Sequence, residues 1–127
     1  MREILFRGKR KDNGEWVEGY YVCIRYKHIH RVDHLITDLI GTSHVVDPET
    51  IGQYTGLTDK NGKKIFEGDI VKLQMPGYEM DGQIIFEEAT FYIMEGDVRE
   101  VLWYEEAKFE VIGTIHDDPA LLEPEGR

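Results

Sequence analysis

The chain has 127 residues, of which 41% are hydrophobic and 31% are charged. This composition is typical of a folded globular protein, and the length fits one domain or two small lobes that share a core. The single cysteine, Cys23, excludes an internal disulfide. No apolar run approaches the roughly 20 residues that a membrane helix needs, and the polar start does not resemble a signal peptide. We therefore expect a cytoplasmic protein with no membrane contact and no cofactor.

The charge is spread unevenly along the chain. Residues 1–63 contain ten Lys/Arg and nine Asp/Glu, whereas residues 64–127 contain five Lys/Arg and sixteen Asp/Glu. The second half therefore has a balance of −11 and repels phosphate backbones, which argues against a nucleic-acid partner. The basic cluster Arg7 to Lys11 is interpreted as a solvated hairpin tip rather than a DNA-binding arm.

A β-hairpin is predicted over residues 2–26. Residues 3–7 form its first strand, and the run EWVEGYYVCIRY (15–26) forms its second. Between them lies Asn13-Gly14, the preferred pair for a type I′ turn.

Residues 32–40 allow two interpretations. Their apolar residues have helical spacing, but β-branched residues are frequent and no helix cap is clear. We favour two short extended pieces around Gly41-Thr42-Ser43 over a helix. A short helical turn is expected at Pro48, after Asp47.

A second Asn-Gly turn, at Asn61-Gly62, precedes the strand residues Ile65, Phe66 and 70–73. Gly68 stands where the chain must bend sharply, and Asp69 is expected to accept hydrogen bonds from nearby backbone amides. Further strands are predicted at 82–88, 90–94 and 109–117, whereas 99–106 is either strand or loop. Asp118-Pro119 is expected to start a last helical turn that docks Leu121 and Leu122. About five short strands with regular turn signals predict a small barrel.

Few residues suggest chemistry. Four histidines (His28, His30, His34 and His44) lie within 17 residues, and His28 and His30 would share one face of a strand, but no metal-binding motif accompanies them. Cys23, between Val22 and Ile24, is interpreted as a buried small hydrophobic residue rather than a nucleophile. We find no catalytic motif and predict no metal site.

The candidate interaction residues are Gln53, Tyr54, Thr55, Gly56 and Asp69. Gln53 to Thr55 precede a tight turn, where Tyr54 either packs in the core or forms part of a contact surface. We favour the structural role.

The segment DPETIGQYTGLTDKNGKKIFEGDIV (47–71) closely resembles the YopX-like proteins of bacteriophages and prophages. The opening MREILFRGKR and the closing EVIGTIHDDPALL are also similar to that family. The resemblance implies a mainly β fold with little helix, in which a β-rich N-terminal lobe (1–46) precedes an SH3-like barrel lobe with a C-terminal extension (47–127). It also implies a phage or prophage origin in a bacterial host cell. It transfers no catalytic residues.

We therefore expect a non-enzymatic protein-interaction or self-association module, whose partner is a host or phage protein or a second copy of itself. The alternatives are a nucleic-acid-binding small barrel and an acidic DNA mimic that inhibits a host protein. A small enzyme is the least supported hypothesis.

Overall fold

Runs of β-branched and aromatic residues form eleven β-strands in the computed structural model, which describes residues 3–102 and 108–123. The helices among these residues are two 3₁₀ turns, so the predicted mainly β class with little helix is confirmed. The strands are β1 (Phe6–Lys9), β2 (Trp16–Arg25), β3 (Val32–Thr37), β4 (Ser43–Val45), β5 (Gly52–Thr58), β6 (Lys64–Phe66), β7 (Asp69–Met75), β8 (Tyr78–Glu87), β9 (Thr90–Glu95), β10 (Val98–Val101) and β11 (Lys108–Thr114).

The chain divides into two compact units, Met1–Tyr54 and Thr55–Arg127. The boundary predicted between residues 46 and 47 stays a prediction. Strand β5 crosses the observed division, and β6 is its neighbour in the sheet order.

The first unit contains β1 to β4 and the start of β5, which belong to a six-stranded sheet with the order β4-β3-β2-β1-β5-β6. The predicted hairpin is present, because β1 pairs with β2 from Phe6↔Gly19 to Lys9↔Trp16. Residues 32–40 are extended at β3, and the chain turns before β4, so the preference for two extended pieces is confirmed. The helical spacing is overridden because β2 and β4 pair with β3 on its two sides and satisfy its backbone.

The predicted type I′ turn at Asn13-Gly14 is wrong. The loop has four residues, closed by Arg10 N–H donating to Glu15 O and Gly14 N–H donating to Arg10 O, both at 2.9 Å. Only the glycine has a positive φ, +73°. The φ signs of a type I′ turn occur instead between β8 and β9, at Glu88 (+50°) and Ala89 (+62°).

The second unit contains an antiparallel sheet with the order β10-β9-β8-β7-β11. The buried apolar cluster of this unit consists of Ile65, Val71, Leu73, Met80, Ile84, Ile93, Leu102 and Phe109. This order contains the five strands that a small barrel needs, but its closure as an SH3-like barrel stays a prediction.

The last 3₁₀ turn of the second unit lacks the side-chain cap that the sequence predicted. A 3₁₀ turn does form at Pro119–Leu122, but the Asp118 side chain does not cap it. Its carboxylate accepts a hydrogen bond from Thr114 N–H at 3.2 Å instead. Leu121 is exposed and Leu122 is half-buried, so the predicted docking of this turn is only partial. The part of 99–106 that follows Leu102 lies outside the described residues.

Candidate interaction surface

Gln53 and Tyr54 belong to the first unit, where both lie on β5. Gln53 pairs with Phe6 of β1 and is half-buried. Tyr54 is only 7% exposed, and its N–H donates to Leu5 O at 2.8 Å. The tyrosine therefore packs inside rather than facing a partner.

Thr55, Gly56 and Asp69 belong to the second unit and shape its backbone. Thr55 Oγ1 donates to Ile65 O at 2.8 Å and accepts from Leu57 N–H at 3.1 Å. Gly56 has a φ of +88° with open space around it, so it is needed for its conformation. Asp69 is fully buried, and its carboxylate accepts from Phe66 N–H at 2.7 Å, which is the role predicted for it at the Gly68 bend.

The five sequence-predicted candidates are thus divided between two units and make structural contacts. Asp59 makes contacts of the same kind, and the sequence indicated only that it lies in a turn. Asp59 is 7% exposed, and its carboxylate accepts from the amides of Asn61 (2.8 Å), Lys63 (2.9 Å) and, 52 residues along the chain, Val111 (3.0 Å). Burial raises the pKa of Asp59, but these three bonds and the Lys63 charge outweigh it and leave the pKa below its ordinary value.

An apolar surface is present on one face of the sheet in the first unit. We call this the β2 face; it consists of Tyr20, Val22 and Ile24 of β2, with Val45 of β4. Residues alternate between the two sides of a strand, so these side chains of β2 share one side, and the pairing Leu35↔Val45 with Val22↔Leu35 places Val45 on the same side. All four are exposed, with Tyr20 at 58% and Val22 at 44%. A clustered exposed apolar face is a common mark of an interaction site.

The prediction that Cys23 is buried is wrong, because its side chain is exposed. The sequence contained no signal for this exposure. The run from Tyr20 to Ile24 is apolar at both odd and even positions, which is typical of a strand covered on both faces.

Along part of its length, one edge of β2 has no partner strand among the residues that the structure describes, and we call it the open edge. Tyr26 N–H donates to Arg31 O at 3.1 Å, so the even-numbered residues of β2 direct their backbone groups toward β3. The odd-numbered residues Tyr21, Cys23 and Arg25 therefore direct theirs toward the β1 side. The pairing with β1 ends at Phe6↔Gly19, and no strand among the described residues pairs beyond it.

The histidines do not form a metal site among the residues that the structure describes. His28 and His30 lie in the exposed turn between β2 and β3, so the expectation that they share a strand face is wrong. His34 Nδ1 lies 2.6 Å from Tyr21 Oη, and the two rings stack. Burial, followed by the neighbouring Cys23 thiol, raises the pKa of Tyr21.

His44 instead orders the loop between β3 and β4. Its Nε2 lies 2.9 Å from Asp38 Oδ2, while Asp38 Oδ1 accepts from the amides of Ile40 (3.1 Å) and Thr42 (2.9 Å). These bonds, with His44 the largest contributor, lower the pKa of Asp38. The loop presents Leu39 and Ile40, which are 77% and 89% exposed. Two large apolar side chains are thus held in solvent by a hydrogen-bonded loop.

In the described part of the chain, no helix is long and apolar enough to cross a membrane.

Two antiparallel sheets define an all-β protein, and its clearest surface feature is the exposed apolar β2 face. The chain belongs to the YopX protein family, whose model matches residues 5–123. No curated protein matches it. Among solved structures it is similar to the crystal structure of protein EF1440 from Enterococcus faecalis, with a TM-score of 0.59 and 24% sequence identity. That match covers 97% of this chain and 100% of the other, and it shows a shared fold.

Proposed function

We propose that this protein is a non-enzymatic interaction module that self-associates through its first unit. The observation that supports the proposal is the exposed apolar β2 face. Burying apolar surface yields about 25 cal/mol per Å², so a clustered patch of this kind favours contact with another apolar surface. Leu39 and Ile40 extend the apolar surface of the same unit, and their ordered loop reduces the entropy lost on contact.

The charge distribution favours a second copy of the chain as the occupant. Residues 1–54 contain eight Lys/Arg and eight Asp/Glu, so the first unit is neutral. Residues 55–127 contain seven Lys/Arg and seventeen Asp/Glu, a balance of −10. Like charges repel, so two copies of this acidic protein meet most favourably through their neutral units.

The test is the molar mass in solution, measured by light scattering over a range of concentrations. We expect the mass to rise above that of one 14.8 kDa chain, and we expect Val22→Lys to reduce this association. Val98→Lys is the matched control, because Val98 is an equally exposed strand valine in the second unit. A wild-type protein that stays monomeric, or equal association of the two variants, would refute the proposal.

The acidic second unit supports a second candidate function, in which its surface binds a basic protein partner or imitates DNA phosphates. This unit holds the whole negative balance of the chain, and electrostatic complementarity raises the rate of association with a basic surface. A host DNA-binding protein released from DNA by this chain at low salt, but not at high salt, would support mimicry. No release at low salt would exclude it.

Direct nucleic-acid binding is the less favoured alternative. Its best site is the turn after β2, where Arg25, Lys27 and Arg31 surround a shallow depression together with two histidines. Asp33 already pairs with Arg31 at 2.9 Å, which reduces the charge available to phosphates. A gel shift at low salt tests this alternative, and absence of a shift would exclude it.

A phage or prophage origin and a place in the bacterial cytoplasm complete the proposal. They rest on the family and on the single cysteine, since a reducing compartment keeps thiols free.

A further inference from the structure

We propose that two copies of the chain pair antiparallel along the open edge of β2, around a two-fold axis at Cys23. This inference rests on the self-association proposed above and specifies its geometry. The two copies would extend one sheet across the axis by strand addition, in which main-chain hydrogen bonds supply affinity and side chains supply specificity.

The length of the open edge fixes the register. Strand β1 occupies the edge of β2 as far as Gly19, and the hairpin turns after Tyr26. The segment available for pairing is therefore residues 20–26, and its central residue is Cys23. A shifted register would bring the second copy against β1 or beyond the end of the strand.

The backbone of this segment suits a two-fold symmetric pair. Tyr21, Cys23 and Arg25 all direct their amide and carbonyl groups toward the open edge. Cys23 would therefore form a hydrogen-bonded pair with Cys23 of the second copy. Tyr21 would pair with Arg25 of the second copy, and the reverse pair follows from symmetry. About six main-chain hydrogen bonds would form, because each such pair exchanges two.

The side chains are self-complementary in this register. On the β2 face, Val22 would lie opposite Ile24 of the second copy, and Tyr20 opposite Tyr26. All four are exposed in the single chain, and apolar or aromatic cross-strand pairs stabilise sheets. On the other face, each Arg25 guanidinium would lie beside a Tyr21 ring, a favourable cation–π arrangement. No like charges would face each other.

The open edge also lacks the usual protection. Natural edge strands are commonly blocked by proline, by inward charges or by a covering segment. Residues 20–26 contain no proline and one charged residue, Arg25, and no described strand covers them on the β1 side. Such an edge pairs readily with another strand.

The native cysteine provides the test. A hydrogen-bonded antiparallel pair has a Cα separation of about 5.5 Å, which is within the range that a disulfide spans. We expect diamide, which oxidises two thiols to one disulfide, to convert the wild-type protein into a covalent dimer. The matched control is the double variant Cys23→Ser with Arg25→Cys. This variant also has one exposed thiol, on a residue whose backbone faces the open edge. The thiols of the two copies would be offset by four residues, roughly 14 Å, so we expect little cross-linking.

Light scattering on the Cys23→Ser protein, without oxidant, separates the two proposals. A non-covalent dimer together with cross-linking at position 23 and not at 25 supports the register. A dimer in which Cys23 does not cross-link, or in which both positions cross-link equally, overturns the register but leaves self-association intact. A monomer at every concentration overturns both.

Discussion

Replacing Asp59 by alanine is the most direct test of how the second unit is held together. The Asp59 carboxylate joins the turn at 59–63 to β11, because it accepts hydrogen bonds from Asn61, Lys63 and Val111. Alanine removes all three acceptor contacts at once. Asparagine keeps one oxygen, which can still accept hydrogen bonds from the turn amides. Its side-chain NH2 group would then face Val111 N–H and could not accept a hydrogen bond from it.

The magnitude follows from the three bonds. A hydrogen bond to a charged group contributes about 1.5–3 kcal/mol, and a buried donor left without a partner costs about 1–3 kcal/mol. Asn61 and Lys63 are exposed, so water can replace part of what their amides lose, whereas Val111 is half-buried. We therefore expect Asp59→Ala to lower the free energy of unfolding by about 3–4 kcal/mol, and Asp59→Asn by about 1.5–2.5 kcal/mol.

The pH dependence has a definite sign. The pKa of Asp59 is lower in the folded protein than its ordinary value, so its charge stabilises the fold above the unfolded-state pKa of about 3.9. This stability is lost as the pH falls through the folded-state pKa. The wild-type protein should therefore lose its advantage over Asp59→Asn in strong acid.

Urea unfolding followed by circular dichroism measures the global effect, and hydrogen exchange at the Val111 amide measures the local one. Glu95→Gln is the charge control, because Glu95 is an exposed carboxylate of the same unit. If Asp59→Ala matched Glu95→Gln in stability, or if Val111 exchange were unchanged, the bracing role of Asp59 would be refuted.

Three further changes test local geometry. Ala89→Gly should stabilise the protein by about 0.5–1 kcal/mol in urea unfolding, because Ala89 has a φ of +62° that costs an L-residue about 1–2 kcal/mol; a loss of stability would contradict this. Gly19→Ala should lower the free energy of unfolding by about 3 kcal/mol or more, because the added Cβ would lie 1.9 Å from Thr37 O. Hydrogen exchange should become faster in the β2–β3 pairing, and an unchanged exchange pattern would refute this prediction. Asp38→Ala should increase amide exchange in the Leu39 loop at neutral pH. Acid should have the same effect on the wild type, because the pKa of Asp38 is lowered in the fold and its charge is lost only as the pH falls through that pKa. Equal exchange of the loop in both proteins at neutral pH would refute the role of Asp38 in ordering it.

The fold class and the approximate places of several strands could be predicted from the amino-acid sequence. Runs of β-branched and aromatic residues separated by turn residues are local signals, so β2, β7, β8, β9 and β11 were predicted close to their observed places. The bend at Gly68 and the acceptor role of Asp69 were also predicted, because glycine supplies the required φ and a short carboxylate reaches neighbouring amides. The motif that contains them also indicated the family.

Tertiary structure decided which of these residues are buried and which turns form. Asn13-Gly14 has the preferred type I′ composition, yet the flanking pairing of Arg10 and Glu15 leaves four residues to be closed and selects a longer loop. Tyr54 and Cys23 are both flanked by strand residues, but only Tyr54 is buried. Burial depends on which elements cover a strand, and the residues adjacent in the sequence do not determine that. The same reason applies to Asp59, whose carboxylate contacts Val111 because β11 lies beside the turn at 59–63. It also applies to the open edge of β2, because β1 begins at Phe6 and its pairing with β2 reaches only Gly19.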